Sequence, residues 1–184
     1  MSETTIDALV GIEWLAGLFP PRGRALTLVF TDIEGFTVHA AAGGDRIAVR
    51  LVHDHDAAVL PAFRGHGGRV LKRLGDGLMA VFGSPRRAVA AALAAQRAAA
   101  ARGRVRLHIG VHAGAARSRA GDLIGHDVNV AARVAARATG GQVLVSDPIR
   151  IALDGLAVRC REVRPLALPA RDPVRLFRVQ EVNP

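Results

Sequence analysis

The run Arg69-Val70-Leu71-Lys72-Arg73-Leu74-Gly75-Asp76-Gly77-Leu78-Met79-Ala80-Val81-Phe82 constrains this chain more than any other stretch. Two short apolar segments are separated by Gly-Asp-Gly, a turn whose glycines supply the positive φ that a tight hairpin needs. The run therefore reads as a β-hairpin with Asp76 at its tip. Asp-Gly is an ordinary turn dipeptide, so an acid there means little alone. It gains weight from an earlier segment, Thr27-Leu28-Val29-Phe30-Thr31-Asp32, which also ends on an aspartate. It gains more from Lys72, the only lysine among the 25 lysines and arginines.

The punctuation around the hairpin alternates strand and helix. A strand ends near Asp32, and a loop runs through Gly35-Phe36-Thr37. A helix fits residues 45–63, with Asp45 as its cap and Pro61 ending or bending it. After the hairpin, Ser84-Pro85 starts an alanine-rich helix that Gly103 stops. A strand follows over 105–113, then an irregular connection over 114–126. The rest reads as a helix over 128–138, a strand over 142–146, a helix begun by Asp147-Pro148, and strands over 157–163 and 173–179.

Up to residue 113 the order is β-α-β-β-α-β, the ferredoxin-like unit, so the expected class is α/β (α+β) with a C-terminal β-α-β extension. In that unit the first two strands are parallel and the hairpin's return strand lies between them, antiparallel to both. Asp76 then sits at the same end of the sheet as Asp32. Two carboxylates on adjacent strand ends need a compensating charge, and hard oxygen ligands favour Mg²⁺ or Mn²⁺. The alternative is two unrelated turn acids at the surface.

Residues 25–184 are long enough for one domain with a real core. Residues 1–24 stand apart: Ile6, Leu9, Val10, Trp14, Leu15, Leu18 and Phe19 fit a short amphipathic helix stopped by Pro20-Pro21. The apolar run there is broken by Glu13 and is shorter than the about 20 residues a bilayer span needs. The expectation is a cytoplasmic protein without membrane contact. A net charge of +9 suits a polyanionic partner, but no aromatics are interleaved with the arginines, so nucleic acid is not the expected one. A single cysteine, Cys160, rules out an intramolecular disulfide.

Three segments in order resemble the class III nucleotidyl cyclases. Phe30-Thr31-Asp32-Ile33-Glu34-Gly35-Phe36-Thr37 resembles the family's first metal motif, and Lys72-Arg73-Leu74-Gly75-Asp76-Gly77 its second. Asp122-Leu123-Ile124-Gly125-His126-Asp127-Val128-Asn129-Val130-Ala131-Ala132-Arg133 is similar to the segment holding the base-reading and transition-state residues. The short connection over 113–121 is similar to the bacterial subgroup with a trimmed arm.

The resemblance implies an adenylyl cyclase that converts ATP to 3′,5′-cyclic AMP and pyrophosphate. It implies two divalent cations per site, Mg²⁺ or Mn²⁺, held by Asp32, Asp76 and the carbonyl of Ile33. The backbone of Gly35, Phe36 and Thr37 would offer N–H groups to phosphate. Lys72 and Asp122 would read adenine, the lysine at N1 and the aspartate at the 6-amino group, where guanylyl cyclases usually carry an acid at the lysine position. Asn129 would orient the ribose, and Arg133, four residues on along the same helix face, would stabilise charge on the α-phosphate. Because the family splits these sets between subunits, a head-to-tail homodimer with two interface sites is implied.

One departure stands out. Leu168 occupies the place of the family's usual phosphate-binding lysine, with Arg164 and Arg171 the nearest cations. The alternative function is therefore a non-catalytic or weakly active module that binds nucleotide or only dimerises. Gly43-Gly44-Asp45 superficially matches the Gly-Gly-Asp hairpin of diguanylate cyclases, but it precedes a helix. His53 and His55 diverge on a helix, and His108 and His112 would lie about 13 Å apart on a strand, so both pairs read as core or surface histidines.

Overall fold

The computed structural model describes residues 25–119, 122–169 and 171–181. The N-terminal segment 1–24 and its expected amphipathic helix lie outside them. The elements, in order, are β1 (Leu26–Ile33), α1 (Phe36–Gly65), β2 (Arg69–Leu74), β3 (Gly77–Phe82), α2 (Pro85–Arg102), β4 (Leu107–Gly114), β5 (Arg117–Arg119), β6 (Asp122–Ile124), α3 (His126–Arg137), β7 (Gln142–Ser146), α4 (Asp147–Ala152), β8 (Val158–Leu168) and β9 (Arg171–Glu181). Among the described residues, seven strands form one mixed sheet in the order β2-β3-β1-β4-β7-β9-β8.

The sheet order confirms the ferredoxin-like core. β3 lies between β1 and β2 and is antiparallel to both, and β4 flanks β1 on its other side. Alternation along β1 then divides the core. Val29 and Ile33 pack under α1 and α2 with Ala58, Phe63, Ala92 and Ala95. Leu26, Leu28 and Phe30 pack under α3 with Val128, Ala131 and Ala135. The alanines of α2 allow that helix to lie close on the sheet, and Phe63 of α1 meets Phe82 of β3 edge to face at 5.4 Å. α3 comes equally close on the other face, since a Cβ on Gly110 of β4 would lie 2.2 Å from the backbone nitrogen of Ala135.

Several local expectations hold. Ser84 caps α2 by accepting from the Arg87 amide, and Gly103 closes that helix in the left-handed conformation. Others are corrected. The helix expected to start near Asp45 begins already at Phe36, inside the expected Gly35-Phe36-Thr37 loop, and is broken only at Gly44 (φ 67°), so Asp45 opens its second part. Pro61 does not end it; the helix runs on to Gly65, where buried Val59 and Phe63 hold its last turns on the core. Part of the expected irregular connection pairs as a short ribbon, with Arg117 opposite Ile124. Strands of only three residues are too short to leave a periodic signal. Among the described residues, no helix is long and apolar enough to cross a membrane.

Candidate functional site

The hairpin closes with Leu74 opposite Gly77, leaving Gly75 and Asp76 as a two-residue turn. Only the first of its glycines has positive φ, Gly75 at 63°. Gly77 is required for a different reason: a Cβ there would lie 1.8 Å from the carbonyl oxygen of Thr31. Its bare backbone lets the hairpin lie tight against the end of β1. Asp76 thereby reaches β1, and its Oδ2 accepts a hydrogen bond from the Ile33 amide at 3.1 Å. The two acids expected to meet do meet.

The charge balance of that corner is unfavourable as it stands. Burial, a hydrogen bond with Asp76 and the Asp76 charge together push the Asp32 carboxyl up to about 7, against a weaker opposing bond from the Ile33 amide. A divalent cation would supply the missing positive charge and displace the shared proton. Among the described residues no group of three or more His, Cys, Asp or Glu side chains converges. Two carboxylates and a nearby carbonyl would suit Mg²⁺ or Mn²⁺ with its remaining positions left open, rather than a closed protein cage. Immediately beyond, Gly35 (φ 69°) turns the chain into α1 with no side-chain cap, so the first-turn amides at Phe36 and Thr37 receive no capping side chain.

Lys72 is aimed by an irregularity in β2. Val70 pairs with Ala80, yet Lys72 pairs with Met79, so Leu71 is an extra residue, a β-bulge. In regular register Lys72 would lie opposite Leu78 on the α1 side. The bulge moves it to the Met79 side, toward α3, where Lys72 Nζ donates to Asp122 Oδ2 at 2.5 Å. That hydrogen bond holds the Asp122 carboxyl below its usual range. The next residue, Arg73, falls on the α1 side and pairs with Asp56.

Asn129 and Arg133 lie on α3 apart from both groups. They line a cavity of about 200 Å³ together with His126, Val130, Leu168, Pro169 and Arg171. Asn129, Arg133 and Arg171 are all exposed. Arg171, at the start of β9, shares this cavity, while Arg164 does not line it. The remaining histidines are held elsewhere. His112 Nδ1 lies 2.7 Å from Ser146 Oγ, and burial lowers its pKa, which Asp127 only partly opposes.

Of the two readings open for His55, core or surface, the structure shows the core. His55 is fully buried on α1, with Nε2 2.8 Å from Thr31 Oγ1 and Nδ1 2.9 Å from Asp56 Oδ1. Its place on the apolar face of the helix, in line with Leu51 and Ala58, was the available signal.

The family model for the adenylate and guanylate cyclase catalytic domain matches residues 20–181. A pH-sensitive adenylate cyclase of Mycobacterium tuberculosis is 35% identical over 192 residues, covering 98% of this chain and 46% of that protein. The chain spans less than half the length of the curated relatives it matches. Among solved structures, an adenylate/guanylate cyclase/hydrolase from Silicibacter pomeroyi superposes with a TM-score of 0.75 at 25% identity, over 85% of this chain and 96% of that one. The guanylate cyclase domain of RhGC from Catenaria anguillulae, solved in complex with GTP, gives 0.73 at 18% identity over 86% and 97%. From its ordered motifs, its sheet topology and these matches together, the chain belongs to the family of class III adenylate and guanylate cyclase catalytic domains.

Proposed function

We propose that the chain is an adenylyl cyclase, converting ATP to 3′,5′-cyclic AMP and pyrophosphate at two equivalent sites shared across a head-to-tail homodimer. The observation that carries the choice of ATP is the Lys72–Asp122 pair. An ammonium and a carboxylate side by side present one donor and one acceptor, matching adenine N1 and its 6-amino group. Guanine presents the opposite pattern at those two positions.

Each residue then has a task. Divalent cations at Asp32, Asp76 and the Ile33 carbonyl would supply Lewis acidity for the ribose 3′-hydroxyl and countercharge for the triphosphate. The amides of the Gly35-Phe36-Thr37 turn hold phosphate oxygens at the open start of α1. Asn129 fixes the ribose so that its 3′-oxygen faces the α-phosphorus. Arg133 balances charge on the α-phosphate as the new P–O bond forms and the bond to pyrophosphate breaks. Arg171, beside Arg133, provides the phosphate contact for which Leu168 has no polar atom.

The split between subunits is supported by the separation of the groups. The acidic corner lies at the end of β1, while Asn129 and Arg133 open into a cavity between α3 and the β8–β9 turn. A second reading, nucleotide binding without turnover, is favoured by one feature: Leu168 and Pro169 line that cavity. Incubation with ATP or GTP and Mn²⁺ separates the readings. Cyclic AMP is the expected product; bound nucleotide without product supports the second reading, and preferential cyclic GMP overturns the base assignment.

A further inference from the structure

The hydrogen bonds around His55 form a directed chain. Asp56 is an acceptor: burial acts to raise its pKa, but hydrogen bonds from Arg73 and His55 outweigh that effect and keep it ionised. His55 Nδ1 must then carry the proton that it shares with Asp56 at 2.9 Å. The ring is fully buried, and burial favours its neutral form, so Nε2 is left as an acceptor. The Thr31 hydroxyl, 2.8 Å away, therefore donates to it. With its proton committed, Thr31 Oγ1 accepts from the Leu78 amide at 3.2 Å. Every polar group in the series has a partner of the right kind.

This chain joins the places that matter most. Thr31 directly precedes Asp32, and Leu78 follows Asp76 by two residues. Arg73, at the outer end, follows Lys72 on the other strand of the hairpin. We propose that His55 is a positioning residue for the Asp32–Asp76 pair. Through the Thr31 hydroxyl and the Leu78 amide it locks the end of β1 to the strand leaving the hairpin tip, so that the two carboxylates face one cation. Backbone pairing cannot do this alone, because the ladder between β1 and β3 ends at Thr31 and Leu78. Beyond that pair β1 stays laddered to β4, with Asp32 opposite His108 and Ile33 opposite Leu107, but its tie to the hairpin tip is the side-chain bond from the Ile33 amide to Asp76. The inference rests on reading the two aspartates as a metal site.

The test uses the full chain and Mn²⁺ alone. Free Mn²⁺ is followed by electron paramagnetic resonance in wild type, Thr31→Val and Thr31→Ser, with thermal unfolding in parallel. Thr31→Val removes the hydroxyl at nearly constant volume and should weaken Mn²⁺ binding by about tenfold, the low end of the loss seen when a direct partner of a metal ligand is removed, because Thr31 acts on the aspartates through the backbone. Thr31→Ser restores the hydroxyl and should restore binding. A Thr31→Val protein that melts earlier yet binds Mn²⁺ like wild type would show a merely structural role and overturn the inference. A wild-type chain that binds no Mn²⁺ overturns the metal reading itself and the inference with it. The tautomer of His55 in wild type, read by ¹⁵N NMR, needs no variant: Nδ1–H is expected, and Nε2–H contradicts the direction of the chain.

Discussion

The acidic corner at the end of β1 and the cavity beside α3 are built on opposite electrostatic plans. At the corner, two carboxylates are pressed together, and burial and mutual repulsion hold a proton on Asp32 near neutral pH. Around α3 and β6 the charge is either paired, as in Lys72–Asp122, or cationic and exposed, as at Arg133 and Arg171. One region is short of positive charge and the other offers it. A metal–triphosphate substrate has both characters, with cations for the corner and phosphate oxygens for the arginines. Two copies of the chain, each presenting one region to the other, would satisfy both.

The contrast is sharpest where one region is destroyed and the other left intact. Asp76→Ala removes the hairpin's contribution to the corner and should reduce cyclic product to background with Mn²⁺ binding lost, measured by product assay and paramagnetic resonance. Arg133→Ala strikes the other region and should lower kcat by about 10²–10³ with Mn²⁺ binding unchanged. Lys72→Glu should shift the ratio of ATP to GTP turnover by about 10- to 100-fold, the worth of a hydrogen bond to a charged group. Again Mn²⁺ binding should stay intact. Arg171→Met should raise KM for ATP by about tenfold at most, because the side chain is exposed.

The smallest effect is on stability and has an unusual sign. The folded-state pKa of Asp32 is raised from 3.8 to about 7, so its contribution is fully present below 3.8 and is lost as pH rises through 7. Above pH 7 without metal, the ionised carboxylate destabilises the fold. Asp32→Asn should therefore melt later than wild type at pH 8, by roughly 2–4 °C if about 1 kcal/mol is relieved. The difference should shrink toward pH 5 and reverse on addition of Mn²⁺, which only wild type can bind.

The two regions also differ in how openly the sequence declares them. The corner depends on local rules: an apolar strand ending in aspartate, a glycine-flanked acid at a hairpin tip, and a β-α-β-β order that permits one arrangement of strands. Its residues are few and close to the turns that aim them. The α3 region depends on contacts that no short window contains. A bulge at Leu71 decides which face Lys72 occupies, and a three-residue ribbon carries Asp122 to it. Nothing in the residue types of β2 announces an extra residue, because Leu71 and Lys72 fit either register. Gly77 was legible as a turn glycine for the wrong reason; its role is to clear the Thr31 carbonyl, a contact across 46 residues of chain. The His55 chain is hidden in the same way, since a histidine on an apolar helix face gains meaning only from the threonine it meets.

The central claim is that the two regions of one chain belong to different active sites. Mixing Asp32→Ala with Asn129→Ala tests it directly. Each variant alone carries the same defect in both of its sites and should be inactive, while the mixed dimer pairs one doubly defective site with one intact site. Cyclic AMP formation should reappear on mixing and rise with the fraction of mixed dimer. Two inactive proteins that remain inactive together, with dimer exchange shown by differently labelled subunits, would contradict the shared-site account.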